Sequence, residues 1–432
     1  MIKPAPYRVG KWLPTDHTTL KHWLGSLAKI AKEQDAPLSR EIAAFKNLIE
    51  SDPEVFMFFN LMFTQVPDKP PYDKNPNEQP QVENYTEMLR MMNHIMKTAP
   101  VFLVIEDEPA GLIGFPINAI LDWSMGTTAG FAAFLNDKVN RHLKLILNAW
   151  GKHLLSEDSA NVLNESPKGW FGPAARKAMP CFKEEFICDP DEPHWGFSSW
   201  DDFFTRRFRP DVRPIADPDD ENIIVNACES APYKIATNVK NRERFWIKGQ
   251  PYSISHMLAD DQHTEKFVGG TVYQAFLSAL SYHRWHSPVT GTVVKTKIVD
   301  GSYYSEALMC GFSSPDGPDK SAPNDSQGYL TEVATRGLIF IEADNKAIGL
   351  MCFMAVGMAE VSSCDIRVKA GDKVTKGQET GMFHFGGSTH CLIFRKGVNL
   401  DFFMNESPGL DSSNINVNAR IAIVREPKED PC

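Results

Sequence analysis

Gly386-Gly387-Ser388-Thr389, followed by the apolar run 390–394, is the stretch on which the reading of this chain turns. A serine directly after a glycine can attack the carbonyl that precedes it. Three things are needed. Glycine must let the backbone approach closely, a base must take the hydroxyl proton, and donors must hold the developing oxyanion. The product ester can eliminate to dehydroalanine, which hydrolyses to a ketone at position 388. The same stretch closes a C-terminal half built of short β-branched and aromatic runs, at 223–227, 271–276, 291–298, 338–342, 348–355, 361–368 and 390–394. Gly and Pro punctuate them, which predicts a β-rich sandwich or barrel-like domain.

Upstream, the texture is helical. Leu20, Trp23, Leu24, Leu27 and Ile30 recur at three- and four-residue steps. Ser39 predicts the cap of a helix over 40–51, and Asp52-Pro53 starts another over 54–64. Further helices are predicted at 85–98 and 131–155. A Pro-rich polar loop covers 67–81, and 311–328 is either disordered or a flap. The expected division is a helical domain over 1–175 and a catalytic domain over 176–432, an α+β protein cleaved between Gly387 and Ser388.

The chain has 432 residues, 42 % of them apolar and 23 % charged, which suits a globular protein with its own core. A net charge of −10 without a Lys/Arg run argues against nucleic acid and anionic lipid as partners. The eight cysteines show no C-x-x-C pair, so reduced thiols and no metal site are expected. Residues 1–26 have no apolar signal core, and no run is long enough to span a bilayer. A cytoplasmic location is the expectation.

Tyr282-His283-Arg284-Trp285-His286-Ser287-Pro288 supplies the acid–base candidates. His titrates near working pH and suits proton transfer. The i, i+3 spacing puts His283 and His286 on one face of a helical turn or on opposite faces of a strand. Packed core histidines or half of a metal site are the other readings. An orienting carboxylate is needed, and among 55 acidic residues the sequence alone does not single one out.

Taken together, these blocks resemble the phosphatidylserine decarboxylase family of pyruvoyl enzymes. Phe197-Ser198-Ser199-Trp200-Asp201-Asp202-Phe203-Phe204-Thr205-Arg206-Arg207, then Arg213-Pro214-Ile215, is similar to its entry segment. Lys248-Gly249-Gln250-Pro251-Tyr252-Ser253 is similar to its middle block. The resemblance implies that Ser388 cuts the chain and becomes the covalent pyruvoyl cofactor, that His286 is the base of the processing triad, and that His283 handles a proton in decarboxylation. The family's aspartate falls on Glu229, one methylene longer and without the usual glycine after it. The two self-processed chains are expected to stay associated.

With Glu229, the Gly386-Gly387-Ser388 variant of the cleavage site and the helical N-terminal part, the chain is similar to the soluble fungal branch that decarboxylates aromatic amino acids. L-Tryptophan to tryptamine is the implied reaction. Decarboxylation of phosphatidylserine is the alternative, and a serine hydrolase using Ser388, His286 and Glu229 without self-cleavage is a reading of another class.

Overall fold

The computed structural model describes residues 17–34, 36–67, 82–102, 115–243, 252–278, 280–313, 323–360, 363–385, 388–404, 407–409 and 412–425. Most of the loop expected at 67–81, the residues 314–322, part of the middle block and both Gly386 and Gly387 lie outside them.

Among the described residues, seven helices form the N-terminal layer: α1 (His17–Gln34), α2 (Arg40–Ser51), α3 (Pro53–Thr64), α4 (Tyr85–Ile95), α5 (Pro116–Met125), α6 (Thr128–Leu135) and α7 (Asp137–Leu154). The starts are set by local chemistry. Ser39 Oγ accepts the Ile42 N–H, and Asp52 Oδ1 accepts those of Glu54 and Val55. The helix expected over 131–155 is two helices. Asn136 leaves helical geometry, and its side chain accepts the Lys138 and Val139 N–H groups as the cap of α7. The apolar face of α7, with Val139, Leu143, Ile146, Leu147, Trp150 and Leu154, is buried. Three short helices follow: α8 (Pro173–Ala178), α9 (Phe182–Glu185) and α10 (Trp200–Phe204).

From Ile223 the chain is mostly strand: β1 (Ile223–Val225), β2 (Ala231–Thr237), β3 (Thr271–Leu277), β4 (Arg284–His286), β5 (Gly291–Val299), β6 (Arg336–Ala343), β7 (Leu350–Gly357), β8 (Ser363–Ile366), β9 (Lys373–Val374), β10 (Glu379–His384), β11 (Ser388–Phe394), β12 (Asn399–Phe402) and β13 (Arg420–Arg425). The main sheet runs β2-β3-β11-β7-β6-β5-β9, antiparallel throughout. A small sheet, β4-β10-β8, lies against it: the Trp285 ring of β4 sits 5.5 Å from Phe353 of β7. Gly381 of β10, opposite Trp285 in the same sheet, leaves room for that ring, since a Cβ there would come within 2.6 Å of it. A third sheet, β1-β13-β12, completes the β half. One continuous apolar core joins helices and sheets. The seven described cysteines are free, and no described helix is long and apolar enough to cross a membrane.

Glu360, three residues past β7, ties the two halves together. Its Oε1 accepts the N–H groups of Ile117 (2.6 Å) and Asn118 (2.9 Å) at the start of α5. Burial pushes its pKa up to about 8, against the opposing pull of those N–H groups. The folded protein therefore keeps a proton that the unfolded chain releases at an ordinary carboxyl value. The stability this confers is full below about pH 4.5 and is lost as pH rises through about 8. Glu360→Gln is expected to flatten urea-denaturation stability between about pH 5 and 8, by up to roughly 5 kcal/mol. An unchanged pH slope would contradict the buried-acid assignment.

Candidate active site

Ser388 opens β11, with Leu277 of β3 on one side and Gly357 of β7 on the other. It is fully buried, and its Oγ has no hydrogen-bond partner. A buried hydroxyl without a partner is costly in a folded protein, and Thr264, Ser281 and Ser302 share the condition. Phe385, just before the two glycines, is buried with φ +51°, a strained conformation for a bulky residue. Its ring meets Trp150 of α7 at 4.5 Å and Phe204 of α10 at 6.0 Å.

His283 stands beside this point. Phe204 stacks on its ring at 4.0 Å, and the backbone of Ser278, which directly follows the partner of Ser388 in β3, is among its neighbours. Backbone groups of Phe204, Ser278 and Ser281 favour its charged form, yet neither ring nitrogen has a hydrogen bond of good geometry. Burial, reinforced by Arg206, holds its pKa well below the ordinary range. His283 is therefore neutral near pH 7, free to accept a proton at one nitrogen and donate from the other.

His286 is placed differently. The strand geometry of β4 turns alternate side chains to opposite sides, so His286 faces away from Trp285 and the main sheet. Its Nδ1 lies 2.7 Å from the Gly377 carbonyl, which can only accept, so Nδ1 carries the proton. Nε2 then accepts from the Tyr282 hydroxyl at 2.8 Å. Burial lowers the His286 pKa.

Glu229 is buried between Arg213 and the Val417 N–H. Arg213 donates from Nη2 at 2.9 Å and from Nε at 3.2 Å, and Val417 donates at 2.7 Å. Burial raises the Glu229 pKa against the pull of Arg213. Among the described residues no hydrogen bond joins His286 to Ser388 or to Glu229. The link is indirect: Arg213 lies 4.3 Å over the Phe208 ring, which meets Tyr282 at 4.4 Å, and Tyr282 binds His286. Ser388 and His283 are thus neighbours, while Glu229 and His286 share a second cluster.

Three groups near Ser388 were not singled out by the sequence reading. His390 is two residues on in β11 and so faces the same side. It is buried between Phe353 and Tyr273, both nitrogens lack partners, and burial lowers its pKa to about 3. The period-2 alternation of the strand would have shown it. His384 of β10 pairs through Nδ1 with Asp201 (3.0 Å) and through Nε2 with Asp365 (3.2 Å). Burial opposes its charge, but the two carboxylates prevail and raise its pKa. Glu360, described above, is the third.

Residues 39–179 and 200–416 match two profiles, each described as phosphatidylserine decarboxylase. The chain belongs to the phosphatidylserine decarboxylase family. It is 44 % identical over 322 residues to the decarboxylase iboD of Amanita muscaria, covering 70 % of this chain and 91 % of that relative. It is 37 % identical over 413 residues to an L-tryptophan decarboxylase of Psilocybe cubensis, covering 91 % and 90 %. A phosphatidylserine decarboxylase proenzyme of Chlamydia caviae is 32 % identical over 243 residues, 55 % of this chain and 75 % of the relative. Members of the phosphatidylserine decarboxylase family are pyruvoyl-dependent, and this chain is a carboxy-lyase. The hydrolase reading falls with that membership.

The Arg213–Glu229 pair is open to a direct test. Both side chains are largely buried, at 12 % and 8 % exposure. Arg213→Ala strands a buried carboxylate and is expected to lower stability by roughly 3 kcal/mol in chemical denaturation. A loss below about 1 kcal/mol, the usual worth of an exposed pair, would contradict the buried ion pair.

Proposed function

We propose that this protein cleaves itself before Ser388 and decarboxylates an aromatic L-amino acid, L-tryptophan first among them. The observation that carries the reading is the extent of the likeness to the tryptophan decarboxylase. It spans nine-tenths of both chains, helices included, whereas the Chlamydia proenzyme matches about half of this one.

Position 388 suits the group that the family uses. Converting a serine residue to pyruvoyl replaces the amide nitrogen by a ketone oxygen and the hydroxymethyl by a methyl. The product is smaller than the serine and asks for no new space in a fully buried position. The pyruvoyl group supplies a ketone that takes the substrate's α-amine and draws off the electron pair left when CO₂ departs.

The chain's own residues do the rest. The Ser388 hydroxyl, unpartnered and dry, is the nucleophile of self-cleavage. His283, neutral and adjacent, returns a proton to the substrate's α-carbon. His286, with Nε2 kept as an acceptor by Gly377 and bonded to the Tyr282 hydroxyl, is the processing base, although among the described residues neither it nor Tyr282 hydrogen-bonds Ser388. Glu229 acts on His286 from a distance, by fixing Arg213 and with it the Phe208–Tyr282 stack.

One observation favours the lipid substrate instead. Phe56, Met57 and Leu61 of α3 are 42 %, 55 % and 44 % exposed, an apolar stripe able to touch a bilayer. Incubation with L-tryptophan, L-phenylalanine, L-tyrosine and phosphatidylserine vesicles separates the two. Tryptamine as the main product is expected; phosphatidylethanolamine as the main product would replace the first reading with the second.

Two variants test the roles. Ser388→Ala is expected to run as one unbroken chain on a denaturing gel and to release no amine; wild-type turnover in it would remove the mechanism. His283→Ala is expected to cleave but to lose roughly 10²-fold or more in kcat. Undiminished kcat would give the proton to another group.

A further inference from the structure

A cavity of ≈ 210 Å³ lies between α7 and the strand ends that lead to Ser388. Leu147, Trp150, Gly151 and Leu154 of α7 form one wall, and the Phe385 ring forms another. The cavity's polar lining is Asn148 and Lys152 of α7 with Asp201, Glu360, Ser363 and His384. Two short tethers fix its distance from the reaction centre. Phe385 is three residues before Ser388, and Glu360 is three residues after Gly357, the β7 partner of Ser388. Three residues of chain span at most about 11 Å. Among the described residues, larger cavities of ≈ 250 and ≈ 320 Å³ are lined only by residues 31–97 and 23–168 and have no such tether, and one of ≈ 230 Å³ shares Leu147, Asn148, Glu360 and Ser363 with this one but lacks Phe385.

The walls are preformed. Trp150 donates its Nε1–H to the Thr98 carbonyl at 2.9 Å and stands edge-on to Phe385. His384 is locked by its two carboxylates. Glu360 differs from both. Its Oε1 is committed to the start of α5, while its buried Oε2 has no partner. Oε1 accepts two N–H groups, so the proton of the neutral acid sits on Oε2, which still has a lone pair without a donor. The volume falls below the range of about 300–1,000 Å³ typical of drug-sized ligands, so it suits one side chain and not a diacyl lipid.

We propose that this cavity receives the substrate's side chain, a flat apolar ring carrying one N–H, which Glu360 Oε2 accepts. The assignment rests on the aromatic amino acid reading and adds to it a specificity-determining residue. It also gives the helical layer a part in substrate choice, because α7 builds the apolar wall.

Indole is the probe. It has no amine or carboxylate, so its binding to the purified, self-processed protein reports the ring site without any chemistry. The space next to Gly151 is open, with no atom within 4 Å of an added Cβ, so Gly151→Leu introduces bulk there without a backbone clash. By equilibrium dialysis, Gly151→Leu is expected to bind indole roughly tenfold or more weakly than wild type, with self-cleavage complete and thermal melting unchanged. Glu360→Gln keeps an acceptor for the α5 N–H groups and turns its NH₂ to where Oε2 was. Wild type is expected to prefer indole over 1-methylindole, and Glu360→Gln to lose that preference.

Failure of wild type to bind indole, or Gly151→Leu binding within about twofold of wild type, overturns the assignment. Should Gly151→Leu misfold, an unchanged indole to 1-methylindole ratio in Glu360→Gln overturns it alone. L-Tryptophan turnover with either of those results sinks the cavity and leaves the function standing. Ring binding lost in Gly151→Leu, with no aromatic amino acid turned over, does the reverse.

Discussion

Strand β11 is hydrogen-bonded along both edges, to β3 and to β7, from its first residue to its last. Everything proposed for Ser388 depends on that double pairing. It fixes the serine at the point where a covered strand meets the glycine pair, dry and without a partner. It also makes a backbone break tolerable. A cut before residue 388 spares the pairing of Thr389 to Phe394 on both edges and costs at most the bond of the residue 388 nitrogen, so the new terminus stays where the old bond was. The main chain on the other side is held as well, since β10 pairs with β4 and β8 up to His384. The expected association of the two processed chains thus has a physical basis in sheet pairing.

The same register sorts the polar residues into two groups. Between the sheets lie Ser388, His283 and His390, all short of hydrogen bonds. Outside them lie Tyr282, His286, Arg213 and Glu229, all well bonded. Unsatisfied groups are tolerated where substrate or reaction will satisfy them, and satisfied networks give rigidity. Low dielectric keeps His283 and His390 uncharged.

What could be read from the sequence follows the range of the interactions. Ser39 and Asp52 cap helices through neighbours two or three residues away, so their positions were visible in the string. The strand runs were visible through β-branched alternation, and β3, β5 and β7 fall where expected within two residues. The break at Asn136 was hidden because apolar periodicity continues from α6 into α7. Ser388, His283 and His286 were legible as residue types in a recognisable order. The partners of Glu229 were not, because Arg213 and Val417 reach it across 16 and 188 residues. Glu360 was invisible for the same reason, being 242 residues from Asn118. The split of His283 and His286 between two environments was one of two readings left open, and only the strand geometry of β4 decides it.

Intact mass spectrometry of the purified, active protein addresses the self-made ketone most directly. Two polypeptides are expected, the shorter starting at position 388 and lighter by one ammonia than the same peptide with a serine terminus. A single unbroken mass in a fully active sample, with serine intact at 388, would contradict it.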